Sequence, residues 1–246
     1  MLRGSQSKSE ARLQERTAEL TEANTELERQ IAERSRIEEA LRKNNAVVQL
    51  LLGTATASNE ALSFEEAMRR CFELIRTHIG WPTGHAYTVS EDSTRELLST
   101  DIWYVDNPEQ FSAFRDVTED THFVPEVGLP GLVLDSGKPV WISDMSNEPD
   151  LPRFEQAVVA GVKAGFAFPV LVQSEVVAVV EFFTTEVLEP DEQLLETLLR
   201  VGAQLGRVIE RERAREKHNL LNQELESRNI ELDQNNKEIE AFVYSV

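Results

Sequence analysis

The C-terminal part of the chain repeats with a period of seven residues. One position of the repeat is held by Asn222, Asn229 and Asn236. An apolar residue follows each asparagine by three positions, namely Leu225, Leu232 and Ile239. This spacing is typical of the a and d seam of a coiled coil, where Asn at a fixes register and strand number. We therefore predict that residues 191–246 form a helix and a parallel coiled coil that pairs two copies of the chain.

The N-terminal part has a similar character. Residues 9–45 are almost free of glycine and proline and are rich in Glu, Arg, Ala and Leu, which favour helices. The predicted seam positions here are Leu13, Leu20, Asn24 and Leu27. The apolar stripe shifts its phase after Ile31, which indicates a stutter in the repeat. We predict a coiled-coil signalling helix over residues 1–45, again in a parallel homodimer.

Between these helices, residues 46–190 have the pattern of a globular α+β domain. A helix is predicted to begin after Ser63, a good N-cap, and the last helix to begin at Pro190. Glycine and proline separate apolar runs of strand length. The predicted strands are residues 84–90, 96–105, 139–143, 165–172 and 176–184. We predict an antiparallel sheet with helices on its faces.

Charge and composition restrict the partners of the chain. The net charge is −19 and the pI about 4.7, which argues against nucleic acid and against an anionic membrane surface. A single cysteine, Cys71, rules out an intrachain disulfide and fits a reducing cytoplasm. No apolar run is long enough for a transmembrane helix. The expected location is therefore cytoplasmic, without a membrane span in this chain.

Two further stretches resemble the GAF domain family. Residues 128–139 follow the pattern G-x-x-G-x-V-x-x-x-G-x-P, and residues 166–183 look like the final hairpin of that family, with Phe-Pro-Val-Leu before the turn. The resemblance implies a small-molecule sensing or dimerisation module. It also implies a six-stranded antiparallel sheet between a helix layer and a ligand pocket.

Aromatic and histidine side chains are the candidates for lining such a pocket. The candidate pocket residues are His85, Tyr87, Trp103, His122, Phe123 and Trp141. For each histidine, a structural role bonded to a backbone carbonyl competes with a role as a ligand. No His, Cys, Asp or Glu cluster has the spacing of a metal site, so no metal is expected.

The identity of the ligand stays open, and three cofactor classes are disfavoured. Cyclic-nucleotide GAF domains carry an Asn-Lys…Phe…Asp-Glu signature, of which only Asp191-Glu192 is present. Bilin attachment needs a cysteine, but Cys71 lies on an amphipathic helix beside Met68 and Ile75, where a thiol acts as a small hydrophobe. Haem has only His85 and His122 as ligand candidates, and it is disfavoured too.

The end of the chain bears on its output. No catalytic motif is present, so no catalytic residue is expected. The run 240–246 resembles the entry to the phosphoacceptor helix of bacterial sensor histidine kinases, of the phytochrome-like or hybrid type. This resemblance implies a chain cut before the catalytic histidine, with a kinase core and a response regulator as downstream partners. A ligand-free GAF scaffold, or the same module joined to a diguanylate cyclase, are the alternatives.

Overall fold

A computed structural model describes the backbone of residues 2–90, 92 and 94–243, and the side chains of residues 16, 17, 20–90, 92, 94–235 and 237. The chain divides into two compact units, Met1–Gln49 and Leu50–Val246. The predicted domain boundaries near residues 45 and 190 stay predictions. Within the described residues, no helix is both long and apolar enough to cross a membrane.

The helices and strands alternate irregularly along the chain. The helices are α1 (Leu2–Glu60), α2 (Phe64–Ile79), α3 (Pro108–Asp120), α4 (Gly128–Ser136), α5 (Phe154–Val159) and α6 (Glu192–Val243). The strands are β1 (Thr83–Val89), β2 (Leu97–Val105), β3 (Val140–Ile142), β4 (Ala164–Val172) and β5 (Glu175–Thr184). A short 3₁₀ helix, Met145–Asn147, follows β3.

All five predicted strands are present, and they form one antiparallel sheet in the order β2-β1-β5-β4-β3. The described residues therefore carry five strands in this sheet and not the six that the family resemblance implied. β4 and β5 pair as the predicted hairpin, and Gln173 turns the chain with a φ of 57°. The central strand, β5, is hydrogen-bonded on both sides and its residues are buried except the first.

Helices cover both faces of this sheet. On one face, α2, α6 and the last turns of α1 form a core with Ala86, Phe166 and Phe182. On the other face, α3, α4 and α5 form a second core with Tyr87, Val179 and Phe183. The two cores use alternating residues of the same strands, as the pleat of a strand requires. The predicted α+β class, with helices on the sheet faces, is confirmed.

Local signals explain where two of the helices begin. Ser63 accepts a hydrogen bond from the backbone N–H of Glu66 at 3.2 Å, so α2 has the predicted N-cap. The last helix begins within the stretch Pro190-Asp191-Glu192 that the sequence indicates, although Pro190 itself is not helical. Asp191 caps this helix instead, since its carboxylate accepts from the N–H of Leu194 at 2.9 Å, and the helix begins at Glu192.

The segment with the G-x-x-G pattern is helical, although the sequence analysis assigns neither a helix nor a strand to it. Two glycines and a proline lie in the first turn of α4. Because glycine and proline have the lowest helix propensities, propensity does not predict this helix. Gly128 has a φ of 66°. A Cβ on Gly131 would lie only 2.3 Å from the carbonyl oxygen of Val124. The pattern therefore reflects a close approach of two backbone segments.

Gly202 and Gly206 of α6 approach a strand. A Cβ on Gly202 would lie 2.0 Å from the carbonyl oxygen of Pro169, and one on Gly206 would lie 1.8 Å from that of Leu171. Both carbonyls belong to β4. Within unit Leu50–Val246, these two glycines therefore bring α6 close to the sheet.

We predict that Gly202→Ala or Gly206→Ala destabilises the domain by about 1–3 kcal/mol, because the added methyl group meets backbone that cannot rotate away. Chemical denaturation would measure the free energy of unfolding. Gly53→Ala is the matched control, since its Cβ would meet only the flexible end of Leu74 at 3.1 Å. If Gly53→Ala costs as much as Gly202→Ala, the close contact with β4 is not the cause.

Candidate functional site

Four predicted pocket residues meet on the sheet face that α3, α4 and α5 cover. His85 and Tyr87 lie two residues apart on β1, so both point to this face, and their rings are 4.3 Å apart. Trp103 of β2 lies opposite His85 and stacks on its ring at 4.0 Å. Phe123 contacts Tyr87 edge to face, with 5.5 Å between the ring centroids. These four residues form the aromatic side of a site.

The other two candidates, His122 and Trp141, lie elsewhere. The side chain of His122 is 59% exposed and lies 3.6 Å from a carboxylate oxygen of Glu96. Trp141 packs in the opposite core, where its ring stacks on Phe166 at 5.4 Å. Its indole N–H donates to the backbone carbonyl of Leu188 at 2.9 Å. Residue type alone does not give the direction of a side chain, and the pleat of β3 turns Trp141 away from His85.

At the centre of the site is a buried ion pair that the sequence analysis missed. Glu181 of β5 has no solvent exposure, and Arg153 precedes α5. The guanidinium of Arg153 donates from Nη1 to Oε1 of Glu181 at 2.9 Å and from Nη2 to Oε2 at 3.0 Å. This two-pronged geometry is the strongest form of an arginine–carboxylate contact.

Two hydroxyl groups complete the polar contacts. Nη1 of Arg153 also donates to the hydroxyl oxygens of Tyr87 at 2.9 Å and Thr118 at 2.8 Å. The Tyr87 hydroxyl in turn donates to Oε1 of Glu181 at 2.9 Å. Thr118 donates to the carbonyl of Phe114, in the preceding turn of α3. The carboxylate therefore receives bonds from two residues at one of its oxygens.

Three aromatic rings surround the same guanidinium. Its central carbon lies 4.7 Å from the ring centre of Phe123, 5.1 Å from that of Phe114 and 5.7 Å from that of Phe183. Such distances allow cation–π attraction. The space between β5 and α3 is thus filled by a cation held between a carboxylate and an aromatic cage.

Of the two residues that the sequence analysis did not find, Glu181 has a recognisable signal in the sequence and Arg153 has none. Glu181 interrupts the apolar run 176–183, and a charge within a buried strand needs a partner. Arg153 carried none, because it stands in a polar stretch beside Pro149, Asp150 and Pro152. Its backbone lies in the left-handed region, with a φ of 70°, which no pattern in the sequence indicates.

The ion pair sets the protonation of the site. Burial by itself would raise the pKa of Glu181, but the charge of Arg153 and the hydrogen bonds of its neighbours lower that pKa to about 2. Burial opposes the charge of Arg153 too, yet Glu181 and Tyr87 raise its pKa further. Burial raises the pKa of the Tyr87 hydroxyl well above its usual value. The pair is therefore charged, and the phenol neutral, across the physiological range.

His85 is neutral in this setting. Burial lowers its pKa, and the nearby carboxylate of Glu181 opposes that shift only in part. Its Nε2 lies 3.0 Å from the carbonyl oxygen of Thr100, so we place the ring hydrogen on Nε2. Nδ1 then lies 3.8 Å from Oε1 of Glu181 and, within the described residues, makes no hydrogen bond.

The single cysteine lies away from the site. Cys71 is buried in the core formed by α2 and α6. Burial raises the pKa of its thiol to about 12, so the reactive thiolate is not formed at neutral pH. In the part of the chain that the structure describes, no group of three His, Cys, Asp or Glu side chains could hold a metal ion.

A protein-family model described as "GAF domain" matches residues 61–210. The chain belongs to the GAF domain family. A search of curated proteins finds no match. GAF domains sense signals in signalling proteins, and this chain contains one. The matched residues include every strand of the sheet and the ion pair of Arg153 with Glu181.

Solved structures share the GAF fold at low identity. A free methionine-R-sulfoxide reductase from Neisseria meningitidis, in complex with its substrate, is 15% identical, with a TM-score of 0.56 over 68% of this chain and 90% of that one. The GAF domain of an Acinetobacter phosphoenolpyruvate-protein phosphotransferase is 16% identical, with a TM-score of 0.54 over 68% and 94%. The GAF domain of A. aeolicus nlh2 in an inactive state is 18% identical, with a TM-score of 0.52 over 68% and 98%.

We predict strong coupling between Arg153 and Glu181 in a double-mutant cycle. Arg153→Met or Glu181→Gln alone should destabilise the GAF domain by roughly 3–5 kcal/mol, because each leaves a buried charge without its partner. The double variant should lose less than the sum of the two. Denaturant unfolding of all four proteins measures the coupling.

The exposed pair of Arg200 and Glu196 on α6 is the matched control for this cycle. Its side chains are 63% and 66% exposed, so the same cycle there should give no measurable coupling. Equal coupling for the two pairs would contradict the role of burial.

We predict that Glu181 makes the stability of the domain depend on acid pH. Its folded pKa of about 2 lies below the ordinary value of 4.5. The contribution is thus complete above pH 4.5 and is lost as pH falls towards 2. The loss should be about 2 kcal/mol at pH 3 and about 3 kcal/mol when it is complete below pH 2, from the difference between the two pKa values. Urea titrations at pH 7, 4.5 and 3 measure it. The variant Arg153→Met/Glu181→Gln should show a flatter profile, and an equally steep one would contradict this assignment.

Proposed function

We propose that the chain is the sensory and signal-relay region of a bacterial two-component sensor histidine kinase. The observation that carries this proposal is the path of α6, a single helix from Glu192 to Val243. Its first turns belong to the core of the GAF domain, and its later turns present exposed apolar side chains. A rigid element shared by a sensor core and a partner surface is suited to transmitting a change between them.

The buried stripe of α6 and the predicted seam have the same heptad phase. Val201 and Val208 are buried against the sheet. Asn222 and Asn229 follow them at multiples of seven residues. A rotation or shift of the stripe within the GAF core would therefore move the seam with it, because a continuous helix connects them.

Hydrogen bonds attach α6 to neighbouring helices at the point where its buried stripe ends. Arg211 donates from one nitrogen to the carbonyl oxygens of Ser58 and Ala61, both at 2.9 Å. The carboxylate of Glu212 accepts from the backbone N–H of Phe64 at 3.2 Å. These bonds join α6 to the end of α1 and the start of α2. A change in the packing of α2 would therefore reach α6 at this point.

The proposed partner of the later turns is a second copy of the chain, in parallel. Leu225 and Leu232 are each 59% exposed, and the two asparagines between and before them are exposed as well. In the N-terminal unit, Leu20 and Leu27 are 67% and 54% exposed, and Asn24 lies between them. The side chains of Leu13, Asn236 and Ile239 lie outside the described residues. Pairing would cover both apolar stripes.

The asparagines give the proposed relay its sensitivity. An amide at an a position packs less tightly than Leu or Ile and favours one register at a cost in stability. Alternative rotations of the pair then differ by only a few kcal/mol, an amount that a bound ligand can supply. Leu221, four residues before Leu225, is also exposed and would extend the stripe after a small rotation.

The kinase output rests on the resemblance of residues 240–246 to the entry of a phosphoacceptor helix. Of these, residues 244–246 lie outside the described residues. The proposal places the chain in the cytoplasm, with a kinase core and a response regulator downstream. A diguanylate cyclase in place of the kinase would use the same relay.

One observation favours a second function, that of a ligand-free GAF scaffold. The space between β5 and α3 is occupied by the guanidinium of Arg153, with its rings and hydroxyls in contact. A GAF domain filled in this way would serve as a spacer and dimeriser between two coiled coils.

We predict that phase, not length, of α6 controls the output. In the natural polypeptide, two helix-favouring residues inserted after Lys217 rotate the later seam by about 200° relative to the GAF core. Seven inserted residues lengthen the helix and keep the heptad phase. Autophosphorylation should lose its dependence on the upstream signal with two residues and keep it with seven.

Native mass spectrometry of the same proteins supplies the control. We expect the chain and the seven-residue variant to be dimers. A monomeric chain would overturn the proposed pairing. Equal signal dependence in the two variants would overturn the relay and leave the scaffold function. An output that is not histidine phosphorylation would overturn the kinase assignment alone.

A further inference from the structure

The groups around the Arg153 side chain come from elements other than its own. Glu181 lies on β5, Tyr87 on β1 and Thr118 on α3. The rings belong to Phe114 on α3, Phe183 on β5, and Phe123 after α3. All are buried, and strand pairing or helix packing positions most of them. The walls of this space are therefore built without α5.

These walls have the chemistry of a guanidinium site. The two carboxylate oxygens of Glu181 accept hydrogen bonds from two nitrogens of a planar cation, at 2.9 and 3.0 Å. The hydroxyls of Tyr87 and Thr118 accept further bonds. A guanidinium presents planar, forked donors and stacks on rings, whereas an ammonium ion is a compact point charge. A buried carboxylate also disfavours any anion here.

The segment that carries Arg153 holds it under constraint. The residue adopts a left-handed φ of 70°, which is costly for a side chain other than glycine. Its Nε–H is buried and has no hydrogen-bond partner among the described residues. The backbone cost belongs to the tether, so a free alkylguanidinium in the same place would not carry it.

The segment that carries Arg153 is short and partly exposed to solvent. Residues 146–150, just before it, are all exposed, and α5 has only six residues. Within α5, Val158 is 54% exposed and Val159 is 78% exposed. Among the described residues, the side chain of Gln110 fastens its end, through a bond to the carbonyl of Ala160 at 2.9 Å. Ala157 and Ala160 pack into the second core, but a short element with an exposed outer face belongs to the less stable part of a fold.

We propose that this space is a binding site for alkylguanidinium compounds, and that Arg153 occupies it as an intramolecular ligand that a free alkylguanidinium replaces. Displacement would release the segment 148–160 from the sheet and leave the site itself intact. The inference concerns the GAF domain only and does not depend on the output domain. It reconciles a filled interior with a sensing role.

The first test uses Arg153→Gly, which removes the side chain and suits the left-handed backbone. Isothermal titration with ethylguanidinium should show one site per chain. Ethylammonium, which has charge without the planar fork, should bind at least about tenfold more weakly. The variant Arg153→Gly/Glu181→Gln should lose the ethylguanidinium site. Equal binding of the two cations, or binding that survives Glu181→Gln, would overturn the guanidinium assignment.

The second test uses the unaltered chain and agmatine, an alkylguanidinium with a longer tail. Binding should be at least roughly tenfold weaker than to Arg153→Gly, because the ligand competes with Arg153. Hydrogen exchange of residues 148–160 should become faster with agmatine, while β1 and β5 keep their protection. Unchanged exchange at saturating agmatine, or the absence of binding, would make Arg153 a permanent structural cation and overturn the proposal. The hydrogen-exchange measurement needs no variant, so it decides even if Arg153→Gly fails to fold.

Discussion

The arrangement of this GAF domain depends on one buried charge, that of Glu181. The carboxylate lies on the central strand of the sheet, where no water can solvate it. A charge in this position is tolerated only with a partner and several hydrogen bonds. Arg153 supplies both, and in doing so it draws the segment before α5 down onto the sheet. The ion pair of Arg153 with Glu181 is supported by three features: the left-handed backbone of Arg153, the position of Thr118 and the aromatic cage.

The two faces of the sheet consequently have different properties. The face towards α3, α4 and α5 contains the charged and hydroxyl groups of the site. The opposite face is apolar and is covered by α2, α6 and the end of α1. On that face α6 touches the backbone of β4 through two glycines, without side chains between them. Ala167, which pairs with Glu181 across the β4–β5 ladder, is followed by Phe168, which contacts Gly202. Only a few residues therefore separate the ion pair from the helix that leaves the domain.

Sequence reasoning succeeded where a pattern is local. Apolar runs of strand length, separated by glycine and proline, located all five strands. Ser63 was recognisable as a cap because capping depends on neighbouring residues only. Prediction failed for α4, where glycine and proline hide a helix that tertiary contacts stabilise. Residue type also does not reveal which face a strand turns inwards or whether a loop residue is covered, and the structure places Trp141 in the opposite core and leaves His122 largely exposed.

Local patterns in the sequence were sufficient to predict the GAF family, the α+β class and the helical character of both ends. These follow from spacing, composition and short motifs, which act between residues close together in the chain. Long-range folding brings Arg153 to Glu181, 28 residues further along, and places Gly202 and Gly206 against the backbone of β4. Such contacts form between segments that are far apart in the chain. The residues beside an arginine with a left-handed backbone, or beside a glycine in a helix, do not identify the distant group that it contacts. The centre of the site therefore became visible only after folding had brought these segments together.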